Sequence, residues 1–135
     1  MSYYIATTLQ GPLEERIRQT EAALKEEGFG VISRIDIQEA LKTKIGVNFR
    51  PYTILGACNP ALAHAALKLE DKVGTMLPCN VVVQARDDSS SEVAAIDPVA
   101  SMQAIANPKL VEAADEVRQR LSRVIQSLET EAAPA

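Results

Sequence analysis

The spacing of apolar positions changes several times along the chain, and each change marks an element. Residues 2–8 alternate poorly but hold the Tyr, Ile and Thr that favour a strand. Gly11-Pro12 then opens a helix, since proline costs nothing at a first turn where the N–H has no partner. Leu13, Ile17, Thr20 and Leu24 repeat at helical spacing, with Glu14, Glu15, Arg18, Glu21 and Lys25 on the other side. Gly28 is placed to end that helix in a left-handed cap. Phe29–Ile35 reads as a second strand, and Ile37–Lys44 as either a short helix or an irregular crossing. Tyr52–Ala57 reads as a third strand.

Asn59-Pro60 is a cap followed by a first-turn proline, opening a helix to about Asp71 whose apolar face is Leu62, Ala66 and Leu69. Asn80–Ala85 and Glu92–Ile96, joined by the polar turn Asp87–Ser91, predict a hairpin. Asp97-Pro98 and Asn107-Pro108 repeat the capping pattern. The second opens the longest helix, with the stripe Leu110, Ala114, Val117, Leu121, Ile125 and Leu128. The order β-α-β-β-α-β-β-α predicts an α+β fold, an antiparallel sheet with helices packed on one face. Residues 1–128 are expected to form one domain and 129–135 a frayed tail.

Composition narrows the function classes. A net charge of −4, a pI near 5.0 and no run of Lys or Arg argue against a nucleic-acid partner. No apolar stretch approaches the ~20 residues of a membrane span, and the N-terminus lacks a signal-peptide pattern. A cytoplasmic protein is the resulting expectation, in a compartment that keeps cysteines reduced.

The chain has two cysteines and one histidine. Cys58 precedes the Asn59 cap, where the unpaired N–H groups of a helix start favour a thiolate and can lower a cysteine pKa into the range of about 3.5–7.5. Such a group can be a nucleophile, a redox sensor or a soft-metal ligand. The competing reading is a small buried side chain at a strand end. Cys79 lies at the start of the fourth strand, just before Asn80. In the most economical strand-helix-strand layout it lies a strand length, about 20 Å, from Cys58, too far for a disulfide, whose Cα atoms lie within about 7 Å. Residues 72–78, which reach about 23 Å when extended, or a dimer interface, offer a way to close that gap.

His64 falls on the polar side of its helix, where it is expected to be solvated. Three soft ligands in all leave a structural zinc site incomplete. Asn59 is explained by capping. Asn80 either donates to a ligand or ties down the Pro78-Cys79 turn. Lys44 and Arg50 serve an anionic ligand or are simply solvated, and Tyr3-Tyr4 is expected to pack in the first strand. Phosphate-loop, nucleophile-elbow and zinc-protease motifs are absent.

Tyr52-x-Ile54-Leu55-Gly56-Ala57-Cys58-Asn59-Pro60, Ala63–Leu67, Leu77-Pro78-Cys79-Asn80-Val81-Val82-Val83 and Asp97-Pro98 together resemble the domain-of-unknown-function 302 family over roughly residues 3–128. The resemblance implies a small α+β fold and a homodimer, but no substrate, cofactor or reaction. Three readings follow from the residues. The first is a binding protein whose ligand site gathers Cys58, Asn59, Cys79 and Asn80 around a small molecule, a sulfur species or a soft metal ion. The second is a thiol enzyme or redox sensor with Cys58 as the catalytic group. The third is an interaction module with both cysteines in the core. The first is the leading expectation.

Overall fold

Side-chain caps start most of the helices. In the computed structural model, which describes residues 2–132, the Asn59 side chain accepts from the Leu62 N–H at 3.1 Å. Asp97 accepts from the N–H groups of Val99 and Ala100, Asp36 from that of Glu39 and Asn107 from that of Lys109. The helices are α1 (Leu13–Glu26), α2 (Ile37–Ile45), α3 (Pro60–Leu69), α4 (Pro98–Ser101) and α5 (Pro108–Ala132). The Ile37–Lys44 alternative thus resolves as a helix, capped at its other end by Gly46 in the left-handed region at φ 67°. Gly28, at φ 86°, similarly follows the end of α1. Helix α5 continues through residues 129–132, which were expected to fray, while 133–135 lie outside the described residues.

The strands are β1 (Tyr4–Gln10), β2 (Gly30–Asp36), β3 (Tyr52–Cys58), β4 (Cys79–Ala85) and β5 (Ser90–Ile96). They form one antiparallel sheet in the order β1-β5-β4-β3-β2. The β4–β5 turn is pinned by Asp87, whose carboxylate accepts from the Ser89 N–H at 2.8 Å and the Ser90 hydroxyl at 2.9 Å. Those bonds hold the Asp87 carboxyl below its ordinary pKa.

Alternation along the strands gives the sheet two unlike faces. Leu9, Leu55, Val81, Val83, Val93 and Ala95 point into the main core, which α1 closes with Ile17 and Leu24 and α5 with Leu121, Ile125 and Leu128. All of these are buried. A second, smaller cluster comprises Ala66 of α3, Val73 of a 3₁₀ turn over Asp71–Met76, Met102 after α4, and Leu110 and Ala114 of α5. Leu67, beside Ala66 in α3, is exposed.

The opposite face carries no covering helix from α1 or α5. There the register aligns Ala6, Ala94, Val82, Ile54 and Ile35 in one apolar row across all five strands. Tyr3 and Tyr4, expected to pack within the first strand, stand exposed at its edge with rings 5.0 Å apart, edge to face.

Candidate functional site

Strand β3 ends at Cys58, and α3 climbs about 15 Å away from it at 1.5 Å per residue. The chain then descends through the 3₁₀ turn and Leu77-Pro78, so that β4 starts beside the end of β3. Ala57 pairs with Cys79 in the register. The two cysteines are therefore neighbours, one residue out of register on adjacent strands. The economical layout that set them a strand length apart is corrected. It took β4 to begin where the rising helix ends, whereas α3 stops at Leu69 and the segment up to Pro78 returns, the alternative that residues 72–78 offered.

Both thiols are free, Cys58 half-buried and Cys79 buried. They border the same cavity, whose volume is about 30 Å³. That is room for one or two water molecules. The cavity lies on the seam between the two core clusters. Phe29, Ala57 and Cys79 of the larger one face Ala66, Met102 and Leu110 of the smaller one across it. Its walls are almost wholly apolar apart from Cys58, Asn59 and Cys79. Burial pushes the Cys79 thiol up from its ordinary 9.0 to about 11, and the adjacent Cys58 adds to the shift. Cys79 is thus held protonated at neutral pH.

Of the residues read from the sequence, Cys58, Asn59 and Cys79 come together here. Asn59 caps α3. Asn80 does not join them. The alternation that points Cys79 inward points Asn80 to the opposite face, where it is exposed beside Tyr4, Val82 and Ile96. His64 is exposed and does not border the cavity, so no Cys–His pair is assembled. Arg50 donates from Nε to Gln84 Oε1 at 2.8 Å and lies over the rings of Phe49 and Tyr52. It belongs to the uncovered sheet face and not to the thiols. Among the described residues no group of three or more His, Cys, Asp or Glu side chains could hold a metal ion.

Met102 is the cavity residue that sequence reasoning missed. Its signal was present: it follows the Asp97-Pro98 helix start by one turn, on the side of Pro98, which also borders the cavity. The Asp97 carboxylate that caps α4 is itself buried and accepts from Arg118 Nε at 3.0 Å, fixing α4 and Met102 relative to α5. Gly56, next to the site, has no room for a side chain, because a Cβ there would press on Ser33 Oγ and on Pro78 Cγ.

The model of a family described as domain of unknown function DUF302 matches residues 5–128. The crystal structure of an uncharacterized conserved DUF302 protein from Bacillus stearothermophilus superposes with a TM-score of 0.86 at 29% sequence identity, over 93% of this chain and 98% of that one. No curated protein matches the chain. Among the described residues no helix is long and apolar enough to cross a membrane.

Proposed function

The chain belongs to the DUF302 family, and since that family's description assigns it no reaction, we propose a function from the site: the protein binds a small soft ligand, a monovalent ion of the Cu(I) or Ag(I) type, through Cys58 and Cys79. The observation that carries this reading is the meeting of the chain's two cysteines, 58 and 79, beside a cavity of about 30 Å³. A cavity of that size suits an ion and falls far short of the ~300–1,000 Å³ of an organic-ligand pocket. Thiolate and thioether ligands select soft ions, and the Met102 sulfur borders the same space as a third donor of that kind. Zinc fits poorly, because among the described residues no further nitrogen, carboxylate or thiolate ligands complete a tetrahedral site.

Uptake replaces two thiol protons by one ion and leaves one net negative charge on the bis-thiolate. That charge develops next to the first turn of α3, at the positive end of the helix dipole. Because burial holds the Cys79 proton, affinity rises with pH.

The test is titration of the protein, reduced with a phosphine, by Ag(I), followed by thermal melting and by counting bound ions per chain. One ion per chain is expected, with about 2.7 kcal/mol of stabilisation at a hundred-fold excess over Kd. Cys58→Ala and Cys79→Ala are each expected to abolish the shift. Two ions per chain, one on each thiol independently, or a shift that survives both substitutions, would refute the reading.

A further inference from the structure

We infer that Cys58 and Cys79 are also an oxidation site: they close into an intramolecular disulfide by exchange with a small disulfide, and the closed form shuts the ion site. The shutting rests on the soft-ion reading above, whereas the disulfide rests on the strand register and the cavity alone.

The register sets the separation of the two backbones. Ala57 pairs with Cys79, so Cys58 stands one residue along β3 from the direct partner of Cys79. Directly paired Cα atoms of antiparallel strands lie about 4.5–5.5 Å apart, and one residue adds about 3.4 Å along the strand. The diagonal is therefore about 5.6–6.5 Å, inside the roughly 4.4–6.8 Å that a disulfide spans. In mid-strand such neighbours would point to opposite faces. Cys58, however, is the last residue of β3 and Cys79 the first of β4, and both border the one cavity. That cavity, about 30 Å³ in volume, gives the sulfurs room to turn towards each other without displacing a core side chain.

The backbones are already held in place for the bond. Cys58 pairs with Gly30 of β2, and the residue after it is fixed by its cap on Leu62 at 3.1 Å. Cys79 is held by its pairing with Ala57. Closure therefore asks only for side-chain rotation.

Exposure sets the order of the steps. Cys58 is half-buried, whereas Cys79 is 6% exposed. Cys58 is thus the thiol that meets a reagent from solvent, and Cys79 is the thiol that meets Cys58. The Cys58 thiolate attacks one sulfur of a small disulfide RSSR, forming a mixed disulfide and releasing RS⁻. Cys79 gives up its proton and attacks the Cys58 sulfur, and the second RS⁻ leaves. The two released thiolates take up the two protons lost by the protein thiols. In balance, the pair loses two hydrogens and RSSR becomes two RSH. Because Cys79 is fixed beside its target, this second attack is unimolecular and outruns a further molecule of RSH. The product has no thiolate left for a soft ion, so oxidation and ion binding exclude each other.

The test uses glutathione disulfide at pH 8 on the folded, reduced protein, freed of reductant and metal, followed by unfolding, alkylation and mass measurement. The wild type is expected to lose both thiols, to retain no glutathione, and to yield joined peptides carrying residues 58 and 79. A phosphine should restore both thiols. Cys79→Ala, lacking the resolving thiol, is expected to keep one glutathione on Cys58, and Cys58→Ala to stay unmodified until unfolded. A wild type that keeps glutathione on Cys58, retains both thiols, or joins two chains together would overturn the inference, and that result needs no variant to fold. Silver is then titrated into both forms. One ion per chain is expected on the reduced form and none on the oxidised form; an oxidised form that still binds silver would overturn the shutting of the site. A reduced form that binds no silver, with the disulfide formed, refutes the ion reading and leaves the oxidation site established.

Discussion

Raising the pH from 8 to 11 ionises Cys79 in the unfolded chain long before it does so in the folded one. The folded thiol is pushed up from 9.0 to about 11, first by burial and then by the neighbouring Cys58. Between those values the unfolded chain has lost the proton and the folded chain retains it. The unfolded state therefore binds fewer protons, and stability falls as pH rises. For a displacement of this size the loss is about 1.4 kcal/mol at pH 10 and about 2.3 kcal/mol at pH 11, approaching about 2.7 kcal/mol above both values. Below pH 8 the group contributes nothing to the pH slope. The assay is urea denaturation across this range with a phosphine reductant, comparing the wild type with Cys79→Ala. Lysines and tyrosines titrate in both proteins, so the difference between the two curves isolates Cys79. The substitution removes a buried thiol and lowers stability at pH 8, but the gap between the proteins is expected to narrow by about 2 kcal/mol by pH 11. A gap that stays constant from pH 8 to 11 would show that burial does not hold this proton, and the account of the cavity wall would fail.

Alkylation by iodoacetamide at pH 8 is expected to modify Cys58 in the folded protein and to spare Cys79 until unfolding, as read by peptide mass; equal labelling of both would contradict the burial described for Cys79. Gly56→Ala is expected to cost about 1–3 kcal/mol through overpacking against Ser33 and Pro78. Adding Ser33→Gly should return part of that loss in thermal melts, and no recovery would place the strain elsewhere. Leu121→Ala, at a fully buried position, is expected to cost about 2–5 kcal/mol. Leu67→Ala, at an exposed one, should stay within about 0.5 kcal/mol in the same denaturation assay.

The elements were legible because their signals are local. Pro60, Pro98 and Pro108 each open a helix, as their Asn or Asp neighbours predict, and the α5 stripe from Leu110 to Leu128 faces the two clusters. The antiparallel sheet with helices on one face followed from element order alone. The site was only half legible. Cys58 and Asn59 were placed correctly by the helix start, but the proximity of Cys79 depends on which way the chain runs between α3 and Pro78. The end of α3 lies close to the Asp71 read from the sequence, but in the 3₁₀ turn after it no proline or left-handed glycine announces the direction the chain takes. Asn80 was misplaced for a related reason. Adjacency to Cys79 in sequence means the opposite face in a strand, and that rule needs the strand to begin at Cys79 and not one residue later. The uncovered face was foreseeable in outline, while the row from Ala6 to Ile35 depends on four registers that no single segment encodes.

Helix α5 is shared between the two clusters. Leu110 and Ala114 near its start belong to the smaller one, and Leu121, Val124, Ile125 and Leu128 near its end belong to the larger. From Leu110 to Leu128 the axis runs about 27 Å, with no proline or glycine along it to act as a hinge. The cavity sits between the clusters, so any wedge driven into it or any atom that fills it acts on the two anchorages of one rigid rod. Such a rod converts a small separation at one end into a tilt felt at the other, against α1 and β1. Amide hydrogens at the far end of α5 are therefore positioned to report, by their exchange rates, on events at two thiols they never touch.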